Sequence, residues 1–275
     1  MPSRPSMRLH CSHREHMEAL EAHLAQMERE EGVKYWQEPG ETTSSAEQKC
    51  HYFWHYPGVE ACFKGWYGSS EPDYRPYETL SLPALRYLVT RNRISPGVAH
   101  ASTNKTRNFA DWKRHGINVR YMPGRRAASG EWYERDTETT LEIKMTRVMC
   151  QFLREMLARS TLPSSPLDRA SSSVPGPTAS SEPASGHPST LPPPPPIIVL
   201  AVGKNLLPDA RLFSAICDAV RRGLFVKVWG WRAGLYEKYL DLQSSHSDQM
   251  KIYYFDDYAP YLVHCGSAAC NLGVR

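Results

Sequence analysis

Two carboxylate residues, Glu134 and Glu138, stand at the start of a long predicted helix. Their spacing of four allows both side chains to face the same way across the first helical turn. Carboxylate oxygens are the ligands that hard divalent ions prefer, and carboxylates near a helix N-terminus also stabilise the helix through its dipole. By position the pair could cap the helix, and by residue type it could also hold a metal ion.

Cationic residues dominate the segment that precedes this pair. From Arg86 to Arg126 there are ten Lys or Arg against one acid, Asp111, which gives the segment a net charge of +9. Such a block is expected of a protein that binds nucleic-acid phosphates, although it also occurs where it serves only solubility. Arg125 and Arg126 lie in the loop before Glu134 and are predicted phosphate contacts.

The hydrophobic pattern predicts the elements that position these residues. Predicted helices cover residues 12–31, 81–90, 106–115, 136–158, 209–222 and 235–242, and predicted strands cover 98–101, 117–122, 197–202, 225–231 and 251–255. Strands separated by single helices predict an α/β fold with a parallel sheet and helices on both faces. Ligands of such sheets bind outside the carboxyl ends of the strands, so Lys204 and Arg232, which follow two strands, are further predicted phosphate contacts.

One segment is unsuited to a packed core. Residues 160–196 consist mostly of Ser, Pro, Ala and Thr and end in five prolines, so they bury too little apolar surface to offset the ordering entropy. We predict an N-terminal helix and linker over 1–49, an α/β domain over 50–263 interrupted by this disordered insert, and a flexible tail over 264–275. The proline run could bind a proline-recognising protein domain, or could be a tolerated surface insertion.

Composition argues against several classes of protein. There is no run of about 18 apolar residues and no apolar block near the start, which predicts neither a membrane span nor secretion. The seven cysteines form no CxxC pair, so reduced thiols and an intracellular location, cytoplasm or nucleus, are expected. Cys50, His51, His55 and Cys62 are of ligand types, but they lie on a predicted strand and the loop after it, and their spacing matches no standard zinc pattern.

Several segments together resemble fungal NYN domains, PIN-like relatives of ribonucleases. The likeness is carried by Ile-Ile-Val-Leu-Ala-Val-Gly-Lys at 197–204, Ala-Val-Arg-Arg-Gly at 219–223, Val-Lys-Val-Trp-Gly-Trp-Arg-Ala-Gly-Leu at 226–235 and Tyr-Tyr-Phe-Asp-Asp-Tyr at 253–258. Upstream, residues 112–122 resemble the family's helix-to-strand step, and residues 134–145 resemble the acidic opening of its central helix. The likeness covers about residues 50–160 and 196–263.

The resemblance implies a PIN-like, Rossmann-like fold and hydrolysis of RNA at carboxylates that hold Mg²⁺ or Mn²⁺. Glu134 and Glu138 would then be catalytic residues and metal ligands. The chain departs from the family at two of four acidic positions: Lys204 stands where an Asp is usual, and His55 or Tyr56 stands at the end of the first strand. Two explanations stay open, namely a relative that keeps the RNA groove without cleaving, and a mispredicted exon that alters the first strand and the loop at Lys204.

The expected function is therefore that of an NYN-like RNA-binding domain, related to metal-dependent endoribonucleases and impaired in catalysis. The alternative comes from another class: a non-catalytic protein-interaction adaptor that uses the N-terminal helix and the polyproline insert, with the domain as a scaffold.

Overall fold

The structure is a computed structural model, and it describes the chain in stretches. The described residues are 13–30, 50–70, 79–90, 99–103, 109–114, 116–121, 125–126, 132–133, 137–160, 195–203 and 211–264.

The elements alternate along the chain much as the sequence predicts. The helices are α1 (His13–Glu30), α2 (Tyr56–Ser70), α3 (Leu82–Thr90), α4 (Phe109–Arg114), α5 (Thr137–Ser160), α6 (Arg211–Arg221) and α7 (Lys238–Ser245), with a 3-10 helix at Phe255–Tyr261. The strands are β1 (Cys50–His55), β2 (Thr79–Leu80), β3 (Ala99–Thr103), β4 (Asn118–Tyr121), β5 (Arg125–Arg126), β6 (Trp132–Tyr133), β7 (Ile197–Ala201), β8 (Phe225–Gly230), β9 (Met250–Tyr254) and β10 (Val263–His264).

Six strands form one parallel sheet in the order β4-β3-β1-β7-β8-β9. This is the order of doubly wound, Rossmann-like sheets, in which the chain starts at the centre, fills one half and returns to fill the other. Two short antiparallel pairs, β2 with β10 and β5 with β6, lie outside this sheet and were not predicted. The predicted fold class is confirmed.

Both faces of the sheet are covered by helices. All five residues of β7 are buried, and they alternate between two apolar clusters. On one face Tyr52 and Trp54 pack with residues of α1 to α4 and of the 3-10 helix. On the other face Phe53 packs with residues of α5, α6 and α7. An unbroken apolar strand is stable when it is covered on both sides, which is the arrangement that the 197–202 run predicts.

The helix ends follow local sequence signals. The hydroxyl oxygen of Ser81 accepts a hydrogen bond of 3.3 Å from the backbone N–H of Ala84 and caps the start of α3. Gly116 and Gly223 have φ values of 75° and 77°, so they follow α4 and α6 in the left-handed conformation that glycine adopts without strain. These turns set where β4 and β8 begin.

The N-terminal helix packs on the domain. Leu20 and Leu24 of α1 are buried in the same cluster as the sheet residues. The ring of His23 stacks on that of Tyr261 in the 3-10 helix, with centroids 4.9 Å apart. The apolar stripe predicted for this helix is therefore buried against the chain's own domain.

One element differs in kind from its prediction. The sequence predicts a strand followed by a loop over residues 50–62, but β1 ends at His55 and α2 begins at Tyr56. Pro57 is compatible with a first helical turn, and Val59 and Phe63, four residues apart, are both buried. These features favour a helix, so Cys62 lies on a helix and not in a loop.

The predicted insert and tail fall almost entirely outside the described residues. Of 160–196 the structure describes Ser160 at the end of α5 and Pro195 and Pro196 before β7, and of 264–275 it describes His264. None of the helices in the described ranges is long and apolar enough to cross a membrane.

Candidate functional site

The carboxyl ends of the parallel strands form one edge of the sheet, where the predicted site residues are expected. β1 ends at His55 and β3 at Thr103, whereas Arg232 follows β8 and Asp256 and Asp257 follow β9. We call this edge the carboxyl edge. It has a centre, where β1 and β7 lie side by side, a β3–β4 side and a β8–β9 side.

At the centre of the carboxyl edge two backbones touch. A Cβ atom at Gly203 would overlap the carbonyl group of Gly58 and the backbone nitrogen of Val59, so no side chain fits there. The indole Nε1 of Trp231 donates a hydrogen bond of 3.1 Å to the carbonyl oxygen of Val59, which ties α2 to the end of β8. At the position where doubly wound sheets open a crevice, the described backbones of Gly58 and Gly203 are therefore in contact.

A row of polar residues crosses the β3–β4 side. His55, Ser102 and Arg120 are neighbours in register on β1, β3 and β4. His55 is buried, and burial lowers its pKa to about 4, so the imidazole is neutral at neutral pH. The hydroxyl of Ser102 is fully buried and makes no hydrogen bond with any residue in the described ranges. Arg120 is exposed.

The first turn of α5 lies at the same edge. Arg211, the first residue of α6, donates a hydrogen bond of 2.8 Å from Nη1 to Oγ1 of Thr139. Because α6 follows β7, this contact brings the start of α5, and with it the backbone of Glu138, to the carboxyl edge. The side chain of Glu138 and the whole of Glu134 and Lys204 lie outside the described residues.

The predicted phosphate contact Arg232 lies on the β8–β9 side and is already paired. Its Nη2 atom is 2.8 and 3.1 Å from the two carboxylate oxygens of Asp257, and its backbone N–H donates to Oδ2 of Asp256 at 2.8 Å. The hydrogen bond to Asp257 raises the pKa of the guanidinium, which also lies 3.8 Å from the ring centroid of Tyr254. A phosphate would compete with Asp257 for this group.

Exposed cations lie on β4, the edge strand of the sheet, and on the last turn of α4. We call three of these exposed cations and an exposed tyrosine the basic edge, namely Lys113, Arg114, Arg120 and Tyr121. α4 contacts β4, and Tyr121 is 40% exposed. Arg125 and Arg126 form β5, but their side chains lie outside the described part of the chain.

The side chains that can be placed do not fit a Mg²⁺ or Mn²⁺ site. No three or more His, Cys, Asp or Glu side chains in the described ranges are grouped so that they could hold an ion. At the end of β1 the available group is the neutral imidazole of His55, whereas hard divalent ions prefer oxygen ligands. Asp256 and Asp257, on the other side of the edge, both bond to Arg232.

Sequence reasoning missed two parts of this edge. The row of His55, Ser102 and Arg120 depends on the register of three strands that are far apart in the chain. Arg211 is identified by its contact with Thr139, 72 residues away, although its place near the start of the predicted helix that follows a buried strand was a usable signal.

The tryptophans near this edge whose side chains the structure describes are core residues. Trp229 and Trp231 are fully buried, and Trp112 is only 3% exposed. The side chain of Trp132 lies outside the described residues. Tyr121 is therefore the aromatic ring that the basic edge offers to solvent.

The comparisons with known proteins add no assignment to this geometry. No protein-family model, no curated protein and no solved structure matches the chain.

Proposed function

We propose that the chain is an NYN-like RNA-binding domain, related to metal-dependent endoribonucleases, whose own catalytic site is impaired. The observation that carries the RNA part is the basic edge, with three exposed cations and an exposed tyrosine on adjacent elements. Cations attract and position phosphates, and an exposed ring offers a stacking surface to an unpaired base. Single-stranded RNA is the ligand that this combination favours.

The centre of the carboxyl edge supports the proposal of impaired catalysis. Gly203 lies against Gly58, so the described backbones that follow β1 and β7 are in direct contact. His55 ends β1 with a buried neutral group, which neither neutralises a divalent ion nor supplies the oxygen ligand that such an ion prefers.

Binding of a fluorescent single-stranded RNA at several salt concentrations tests the RNA proposal. The triple variant Lys113→Glu, Arg114→Glu, Arg120→Glu is expected to lower the affinity at least about tenfold at low salt. Each lost phosphate contact should reduce the slope of log affinity against log salt by about 0.7, so three lost contacts should reduce it by about 2.

A matched control carries the same change of charge elsewhere on the surface. Arg154, Arg222 and Lys238 are exposed on α5, after α6 and on α7, and all three are changed to Glu. The control should bind nearly as the wild type does. If both triple variants lose the same RNA affinity, the basic edge is not the binding surface. If the wild type binds no RNA, or binds it independently of salt, the RNA function is overturned.

Cleavage is followed in the same tubes with Mn²⁺ or EDTA, for the wild type and for Glu138→Gln. We expect bound RNA to remain intact in all four combinations, because the described part of the site lacks a carboxylate cluster. Mn²⁺-dependent cleavage that Glu138→Gln abolishes would overturn the impairment and leave the RNA-binding proposal in place.

The pairing of Arg232 with Asp257 allows a separate test of this predicted phosphate contact. Asp257→Asn is expected to raise the RNA affinity about threefold, because it removes the carboxylate that competes with phosphate for the guanidinium. Adding Arg232→Gln to this variant should abolish the gain. If the RNA affinity is unchanged both in Asp257→Asn and in the double variant, the Arg232–Asp257 pair has only a structural role.

The adaptor alternative would need a surface other than the apolar stripe of α1. Leu20 and Leu24 are buried against the domain, so a partner cannot bind them while the helix is docked. Most of the proline run lies outside the described residues. We therefore advance RNA binding, and a protein interaction without any RNA binding would favour the adaptor.

A further inference from the structure

A small pocket opens between α3 and α4, on the face of the sheet opposite α5. It is lined by Leu82 and Arg86 of α3, by Trp112 of α4 and by Ile117, which precedes β4. Two of these side chains are apolar. The other two carry only hydrogen-bond donors, the guanidinium and the indole N–H. The polar groups of this described lining therefore favour a ligand that accepts hydrogen bonds.

The indole N–H of Trp112 is a buried donor with no acceptor among the described residues. The residue is 3% exposed, and its ring meets the rings of Trp54 and Tyr56 edge-on at centroid distances of 5.2 and 5.3 Å. Turning the ring towards solvent would break both contacts. Because a buried donor without an acceptor is unfavourable, an acceptor that enters from the pocket would be stabilising.

Arg86 brings a positive charge to the same pocket. Burial lowers the pKa of its guanidinium, because the charge is partly removed from water. A partly desolvated cation attracts an anion more strongly than an exposed cation does, since solvent screens the interaction less. The expected ligand is therefore an anion with hydrogen-bond-accepting oxygen atoms.

We propose that this pocket binds one oxygen atom of a phosphate group, with Arg86 as the countercharge and the Trp112 indole as the hydrogen-bond donor. The pocket is too small for a whole phosphate, so the other oxygens stay at its mouth. The basic edge begins there with Lys113, the residue next to Trp112. A phosphate of bound RNA is the favoured source, which rests on the proposed RNA-binding function, and free inorganic phosphate offers the same chemistry.

The first measurement is a titration of the full chain with inorganic phosphate, at constant ionic strength set with chloride. The chain has seven tryptophans, so protein labelled with ¹⁵N in tryptophan gives few indole signals to assign. The Trp112 signal is expected to shift and to saturate with phosphate. Trp231 is an internal control, because its indole already donates to the carbonyl oxygen of Val59 at 3.1 Å.

Two variants at Arg86 test whether the response to phosphate depends on this pocket. Arg86→Gln is expected to weaken phosphate binding at least about tenfold, because it removes a charge-assisted hydrogen bond. Arg86→Lys keeps the charge without the guanidinium geometry and should weaken binding less. If the Trp112 signal does not shift with phosphate, or shifts equally in wild type and Arg86→Gln, the proposed phosphate site is overturned.

A second titration with a short single-stranded RNA separates the two sources of phosphate. A Trp112 shift with RNA that Arg86→Gln removes supports an RNA phosphate in the pocket. If the Trp112 signal shifts with inorganic phosphate but not with RNA, the phosphate site is supported and RNA is rejected as the source of its phosphate. If RNA binds but the Trp112 signal shifts with neither ligand, the proposed RNA-binding function stands and the proposed phosphate site is overturned.

Discussion

Replacing Gly203 by alanine is expected to destabilise the fold by about 3 kcal/mol or more, a large part of the stability of an ordinary domain. The added Cβ atom would overlap the carbonyl group of Gly58 and the backbone nitrogen of Val59. Backbone atoms cannot rotate away as the end of a flexible side chain can. The ends of β1 and β7 and the first turn of α2 would all have to move apart.

Urea unfolding followed by far-ultraviolet circular dichroism measures this change in the free energy of unfolding. In a thermal scan, a loss of about 3 kcal/mol should lower the melting temperature of a chain of this size by roughly 10 °C. The matched control is Gly65→Ala in α2, where an added Cβ atom has no neighbour within 4 Å. This control should be neutral or slightly stabilising, because alanine favours a helix and restricts the unfolded chain.

The result also bears on the function. If Gly203→Ala were as stable as the wild type, the strand ends would separate at little cost, and the carboxyl edge could open to admit a ligand between β1 and β7. The proposal of a closed and catalytically impaired centre would then lose its main support. Strong destabilisation would agree with a centre held shut by backbone contact.

Lowering the pH from 6.5 towards 4 is expected to destabilise the protein by about 3 kcal/mol through His55 alone. Burial lowers the pKa of this histidine from its ordinary 6.5 to about 4. Between these two values the unfolded chain binds a proton that the folded chain excludes. Stability is therefore fully present above pH 6.5 and is lost as the pH falls towards 4.

His100 should add to the same trend to a smaller extent. Its pKa is also lowered to about 4, by burial first and then by the charges of Lys144 and His51. Because His100 is only partly buried, solvent screens these effects, and its contribution to stability is discounted. Both histidines lie on the side of the sheet that α5 covers.

Urea unfolding at a series of pH values between 7.5 and 4.5 measures this dependence. His55→Gln removes the titrating group while keeping a polar side chain of similar length, and its stability should fall less steeply below pH 6.5. His55→Gln and wild type are compared first at pH 7.5, so that any cost of the substitution itself is separated from the titration. Equal slopes in the two proteins would show that His55 does not carry the acid sensitivity.

The parallel α/β sheet could be predicted from the sequence because its signals are local. The apolar run at 197–202 has the composition of a strand covered on both faces, and the structure buries it in this way. Ser81 and Gly223 mark a helix start and a helix end through their own side-chain and backbone chemistry. The α2 helix was missed because its first residues also match the end of a strand, and the packing of Val59 and Phe63 favours the helix.

Function-bearing residue types could be found in the sequence, but their mutual arrangement could not. The excess of Lys and Arg at 86–126 is visible in the sequence, and the structure places Arg120 on the edge strand β4 and Lys113 and Arg114 on α4, which contacts it. Arg232 reached the carboxyl edge as predicted, but its pairing with Asp257 depends on two strand ends that are 25 residues apart. Ion pairs between different strands follow from sheet order and register, which residue types alone do not specify.

The amino-acid sequence by itself thus determined the class of fold, the order of its main elements and the basic character of one segment. These properties depend on composition and on periodicities of a few residues. Tertiary structure alone decided that Gly203 lies against Gly58 at the centre of the edge, that His55 is buried beside Ser102, and that α1 packs on its own domain. Each of these contacts joins residues that are distant in the chain, and the packing of the whole sheet, rather than any local preference, brings them together.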